Sequence, residues 1–344
     1  VIDSIVKFLW DYGYWIIGAI KVAVVAVVLM SSVPLLVWLE RRLMGRFQVR
    51  LGPNRVGPFG LGQPFADSLK LLFKESIVQN SADKFLFFLA PAIVVFTAIT
   101  TFAAVPFGSS FKLFGRDIGM QVAHINMGLL FVFAVSSMGV YGIVLAGFSS
   151  NNKYSLIGGL RSSAQMISYE LILGLSALGV VVLAGSLDLA DIVASQKTLP
   201  NIVTQPVAFI LFYIAGVAET NRAPFDLPEA EQELVAGFHT EYSGMKFAMF
   251  FMAEYINMIT MSAMITVLFL GGWHAYFIPD FLIPPIIGPL VIFVAKVFLL
   301  LCAYIWLRCT FPRIRYDRLM SFSWKVMAPL ALANLMVTSV LKVL

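Results

Sequence analysis

Val22-Ala23-Val24-Val25-Ala26-Val27-Val28-Leu29-Met30-Ser31-Ser32-Val33-Pro34-Leu35-Leu36-Val37-Trp38-Leu39 carries no charge over 18 residues and stops at Glu40-Arg41-Arg42. A run of that length matches the roughly 30 Å hydrocarbon core of a bilayer at 1.5 Å per residue. Seven more mostly apolar segments follow, so that the expected spans are 15–39, 85–106, 122–148, 163–184, 204–220, 245–270, 284–307 and 323–341. Composition agrees: only 12% of the 344 residues are charged and 60% are hydrophobic, where a soluble domain has about 25% charged. These figures exclude a soluble enzyme and a disordered chain. With only Cys302 and Cys309, a disulfide-stapled secreted domain is excluded as well. The first run is too long for the apolar part of a signal peptide, so it is expected to remain in the mature protein.

The expected architecture is an all-α polytopic membrane protein, residues 1–344 forming one integral membrane domain. It has eight transmembrane helices, an interfacial amphipathic helix and a long acidic cytoplasmic loop. Of the 24 Lys and Arg residues, 17 fall in the connections after spans 1, 3, 5 and 7. By the positive-inside rule that side is cytoplasmic and both termini lie opposite. Two cytoplasmic connections, 40–84 and 219–245, exceed what a turn requires.

The first connection leads from Glu40, Arg41 and Arg42 through Arg46, Arg50 and Gly52-Pro53-Asn54-Arg55-Val56-Gly57-Pro58. Arginines at a membrane surface also meet anionic lipid, but the Gly-Pro steps impose specific turns that a lipid-binding tail does not need. Pro64 to Glu75 then reads as a helix with Phe65, Leu69, Leu72 and Phe73 on one stripe and Asp67, Lys70 and Lys74 elsewhere. Such a helix lies in the interface plane and, beside a basic turn, frames a doorway for a substrate with a polar head and an apolar tail.

The second connection places Glu219, Asp226, Glu229, Glu231, Glu233 and Glu241 within 23 residues. A solvated acidic loop is the ordinary reading of such a run. Phe225, Leu227, Leu234, Val235 and Phe238 interleave with the acids and argue for burial, where clustered carboxylates raise one another's pKa and exchange protons near neutral pH. Glu170, Glu254 and Lys296 fall inside spans, where a charge costs roughly 2.5–3.5 kcal/mol. Ion pairing, for example of Glu254 with Lys296, competes there with a proton relay. No redox centre is expected: His124, His239 and His274 are scattered, two cysteines cannot hold a four-thiolate cluster, and Gly60-Leu61-Gly62 lacks the third glycine of a dinucleotide turn.

Glu40-Arg41-Arg42 to Lys74-Glu75, Ala218-Glu219-Thr220-Asn221-Arg222-Ala223-Pro224-Phe225-Asp226-Leu227 to Glu241-Tyr242, Ala253-Glu254-Tyr255 and Arg313-Ile314-Arg315-Tyr316-Asp317 together resemble the membrane H subunit (subunit 1) of proton-pumping NADH:quinone oxidoreductase, respiratory complex I. The resemblance implies a translocase subunit without metal, flavin or iron-sulfur cluster. It implies ubiquinone or menaquinone as substrate, and as partners the peripheral-arm redox subunits, the antiporter-like membrane subunits and membrane lipid, with no nucleic acid. It assigns Glu40, Arg41, Arg42, Arg46, Phe65, Ala66, Asp67, Phe225 and Asp226 to the quinone channel. Glu170, Glu219, Glu229, Glu231, Glu233, Glu241, Glu254 and Lys296 become a proton relay. A bacterial cytoplasmic membrane is preferred to a mitochondrial inner membrane. The competing readings are the homologous membrane protein of an energy-converting hydrogenase, a stand-alone proton-coupled transporter, for which no internal repeat is found, and a structural anchor.

Overall fold

The computed structural model describes residues 2–113, 116–226, 235–276, 284 and 287–344, with side chains described outside 2–14 and 110–118. Helix α1 is Ile2–Phe47. It is followed by α2, Gln63–Phe73, α3, Lys84–Thr101, and an antiparallel hairpin of β1, Gly108–Leu113, and β2, Arg116–Met120. Next come α4, Gly128–Ser149, α5, Lys153–Ala184, the short α6, Leu189–Ser195, and α7, Asn201–Thr204. The chain then forms α8, Pro206–Glu219, α9, Met245–Phe269, α10, Ile287–Thr310, α11, Tyr316–Phe322, and α12, Ala328–Val343.

Seven helices among the described residues are long and apolar enough to cross a membrane. The eighth expected span, 204–220, is only the 14-residue α8, about 21 Å at the helical rise. Proline at its first turn and the left-handed Asn221 (φ 52°) just past its end hold it to that length. The hairpin was not expected from the sequence.

Three boundaries move. α1 continues past residue 39 to Phe47, because Glu40, Arg41 and Arg42 are good helix formers and nothing interrupts the helix before the left-handed Val49 (φ 53°). From Trp15 onward it is 33 residues, about 50 Å long and therefore longer than a bilayer core. Similarly, α5 begins at Lys153, ten residues before the expected span, capped by Asn152 accepting from the Tyr154 N–H at 3.0 Å. The last span begins at Tyr316 and runs to Val343 through a π-helical turn, Ser323–Met327. Pro329 lacks the N–H that would bond back one turn, which accounts for that local widening.

At the centre stands α9, whose apolar stretch is 72% buried against 17% for α1. It packs on α1, α3, α8 and α10, while α5 packs on α4, α8 and α12. Hydroxyls buried in α9 are satisfied within the helix: Thr260, Ser262 and Thr266 donate to carbonyls four residues earlier at 3.0, 2.8 and 2.9 Å. Residues 235–244 fold back over α5, with Ser155 Oγ donating to the Phe238 carbonyl at 2.8 Å. A methyl at Gly158 would stand 2.8 Å from the Gly237 backbone. Gly158→Ala is therefore expected to destabilise the fold by about 1–3 kcal/mol, read as a lowered thermal inactivation midpoint of the purified protein.

Candidate functional site

Four charged side chains from four separate segments meet where α1 passes α9 and α10. Glu40, 2% exposed, lies near the end of α1. Its carboxylate accepts from Tyr255 Oη at 2.5 Å, from Arg222 Nη1 at 3.2 and 3.4 Å, and from Arg308 Nη1. Arg222 turns its Nε to Glu254 at 2.6 Å and lies 4.2 Å from the centre of the Tyr255 ring. Two carboxylates and two guanidiniums make the cluster formally neutral, which is how buried charges are tolerated at all. Burial disfavours a charged Arg222, but Glu254 and Glu40 outweigh it and hold its pKa above the ordinary arginine range.

The segment carrying Arg222 is fastened from below. Gln165 of α5 donates to the carbonyls of Ala218 at 2.7 Å and Phe225 at 2.8 Å, and the Phe225 N–H closes a turn on the Arg222 carbonyl. Phe225 is buried beside Tyr169, and Arg313 donates to the Asp226 carbonyl. Farther along, Glu241 accepts from Asn152 Nδ2 at 2.7 Å. Tyr242 stacks on Phe87 with ring centres 4.0 Å apart, its hydroxyl 3.2 Å from Ser149 Oγ. Burial pushes the Tyr242 pKa up to about 12, so this phenol stays protonated.

Next to the ion cluster is a cavity of about 50 Å³ lined by Glu219, Asn221, His239, Glu254 and Asn257 among others. That exceeds the space one water requires. Glu219 Oε2 and Asn221 Oδ1 are buried without a hydrogen-bond partner among the described residues, and a buried acceptor left unmatched costs about 1–3 kcal/mol. Glu219 also interacts electrostatically with Glu170 and with Tyr304. The Tyr304 ring meets Tyr213 edge to face at 5.3 Å.

The channel residues named from the sequence gather at the junction of α1 and α2, with Phe225 and Asp226 on the neighbouring loop. Arg41 pairs with Asp67 at 2.5 Å, and Gln63 Nε2 donates to the same carboxylate at 3.2 Å. Arg42 Nη1 and Trp38 Nε1 both donate to the Phe59 carbonyl, at 2.9 and 3.1 Å. Arg46 and Ala66 are exposed, and Phe65 is 70% exposed. The first-connection helix expected at Pro64–Glu75 is present as α2. Glu229, Glu231 and Glu233 lie outside the described residues.

Lys296 stands apart from the acids. Its ammonium donates to the carbonyls of Leu270, Gly272 and His274 at 2.6, 2.9 and 2.8 Å, capping the end of α9. Glu254 and Lys296 do not pair; Glu254 meets Arg222. Removing the cap in Lys296→Met strands three carbonyls and is expected to cost about 1–3 kcal/mol, read as thermal stability. Arg222, Arg308 and Tyr255 were not singled out from the sequence. The available signal was the apolar company of Arg222, which precedes Ala223-Pro224-Phe225, and of Arg308 at the end of α10. Among the described residues no group of three His, Cys, Asp or Glu side chains is arranged to hold a metal.

Comparison with known proteins gives the family. The family model described as NADH dehydrogenase matches residues 20–339. An NADH-quinone oxidoreductase H subunit of Syntrophobacter fumaroxidans is 51% identical over 96% of this chain and 96% of its own length. The corresponding protein of Geobacter metallireducens is 53% identical, covering 92% of this chain and 94% of its own length. That of Thermomicrobium roseum is 51% identical over 92% and 93%. The chain belongs to the NADH dehydrogenase family of membrane proteins, whose relatives are H subunits of NADH-quinone oxidoreductase, complex I.

Proposed function

We propose that this protein forms much of the quinone-access channel of a proton-translocating NADH:quinone oxidoreductase and couples quinone reduction to proton movement through buried carboxylates. The observation that carries the proposal is the neutral Glu40–Arg222–Glu254–Arg308 cluster abutting a cavity that leads to the buried, unmatched Glu219 carboxylate. A quinone tail lies along α2, with Phe65 and Ala66 facing it and the Arg41–Asp67 pair holding α2 to α1. Glu40, Arg42, Arg46, Phe225 and Asp226 border the channel. Ubiquinone or menaquinone is the substrate, and the last electron donor comes from the peripheral-arm subunits.

Reduction draws protons or leaves negative charge near Asp226 and Glu229. Unit charges 4 Å apart interact by about 4 kcal/mol at an effective dielectric near 20, which is roughly three pKa units. Such a perturbation at Arg222 loosens its hold on Glu254, and a proton passes through waters in the cavity to Glu219 and on to Glu170. Glu231, Glu233 and Glu241 continue the acidic row at the cytoplasmic entrance. Lys296, at the end of α9, passes the coupling toward the antiporter-like subunits. In this reading the chain is one integral membrane domain with α8 as an eighth crossing, the basic connections cytoplasmic and both termini opposite, in a bacterial inner membrane.

The test is the number of protons pumped per electron in proteoliposomes containing the whole complex. Glu254→Gln also leaves the cluster with an excess positive charge and should lower the yield of complex, and in the complex that assembles it is expected to lower that ratio by half or more while NADH:quinone turnover persists. An unchanged ratio in Glu254→Gln would sink the relay.

A further inference from the structure

On the hairpin side of the membrane, α1, α9 and α10 leave a cleft of about 430 Å³ between them. Val24 and Val28 of α1 form one wall, Val294 and Phe298 of α10 the other, and Ile259 and Ala263 of α9 the floor. Among the described residues Ser32 supplies the only hydroxyl on it, and its proton is taken by the Leu29 carbonyl at 2.7 Å, so the surface is dry. Val28 and Val294 are 58% and 55% exposed, so the cleft opens toward the hydrocarbon.

Its shape selects the occupant. From Val24 to Leu36 the cleft follows α1 for about 18 Å, and 430 Å³ spread over that length has a mean section of about 24 Å². Measured to the centre of a water, as this section is, a helix of about 10 Å diameter needs roughly 40 Å². The space suits an extended hydrocarbon chain. One turn outward from Val24 and Val25, on the same face of α1, half-buried Lys21 donates to the Gly119 carbonyl at 2.8 Å and the Gln121 carbonyl at 3.3 Å. An ammonium has three N–H donors. Two are engaged within the described residues, and the third is available to an anion at the mouth of the cleft.

We infer that this cleft binds one acyl chain of an anionic phospholipid in the leaflet on the hairpin side, its phosphate held by Lys21. The lipid seals the seam between α1 and α10 and is distinct from the quinone, which the preceding proposal places at α2.

The whole complex is reconstituted in phosphatidylcholine–phosphatidylglycerol vesicles containing a phosphatidylglycerol probe with a mid-chain diazirine, irradiated, digested and read by mass spectrometry. Label is expected on residues 24–36 and 290–301, at least fivefold weaker in Val294→Trp and in Val28→Trp, with quinone reduction unchanged. The same diazirine on phosphatidylcholine is expected to label more weakly in the wild type, a preference that Lys21→Gln removes. Equal labelling by the two head groups, or no label in the cleft with a photoreactive residue at Val28 cross-linking to another subunit's helix, would overturn the proposal. The lysine comparison does not depend on the tryptophan variants folding.

Discussion

Glu40→Ala is expected to cost about 3–5 kcal/mol and to leave little intact complex in the membrane, because it strands the buried Arg222 guanidinium and removes the partner of the half-buried Arg308. Arg222 is 5% exposed, and both it and Arg308 direct an Nη1 at the Glu40 carboxylate. Tyr255 loses its acceptor in the same step. The effect is measured as complex recovered on native gels and as the thermal midpoint of NADH:quinone activity. Glu40→Gln keeps the volume and an acceptor for Tyr255 but still leaves an excess positive charge, so it should be damaging too. Combining Glu40→Gln with Arg308→Met restores neutrality. The double variant should recover by at least about 1 kcal/mol relative to the sum of the singles, the signature of a coupled pair. Additive losses would mean that charge balance is not what holds the cluster.

Glu219→Gln should separate electron transfer from pumping more completely than any other single change. The residue is 6% exposed at the end of α8, it lines the cavity shared with Glu254, and it interacts electrostatically with Glu170. Glutamine matches its shape and keeps a side-chain carbonyl acceptor in the cavity, so assembly should persist. It carries no titratable proton, so a relay through this position stops. The expected result is quinone reduction at a substantial fraction of the wild-type rate, with protons pumped per electron falling at least fivefold, measured by pH-sensitive dye in proteoliposomes. Wild-type pumping in an assembled Glu219→Gln complex would place the proton path elsewhere.

Much of this site was legible before any coordinates. Glu219 and Glu254 stood out as acids in apolar company, Glu40 entered through the family resemblance, and α2 was readable from the spacing of Phe65, Leu69, Leu72 and Phe73. Their partners were not. Counted along the chain, Arg222 and Arg308 are ordinary basic residues beside spans, the expected place for positive charge. Each sits 86 or more residues from the other and from Glu40, and no local pattern encodes a contact at that separation. Lys296 illustrates the converse. Periodicity put it inside a span near an acid, yet three carbonyls freed at the end of α9 offered its ammonium a complete set of acceptors. A cation in low dielectric takes the nearest full set of partners, whether or not they are charged.

The sequence alone determined that this chain lives in a bilayer, because the length of an apolar run and the cost of burying charge are local quantities. It also identified the family, because long motifs such as Gly52-Pro53-Asn54-Arg55-Val56-Gly57 are written continuously in the chain. Only the tertiary structure decided which charges neutralise one another, that α1 runs on past residue 39 to carry Glu40 to Arg222, and that a cavity joins Glu254 to Glu219. Those features depend on distances between segments remote in sequence, and buried electrostatics is set by such distances through the energies of desolvation and pairing.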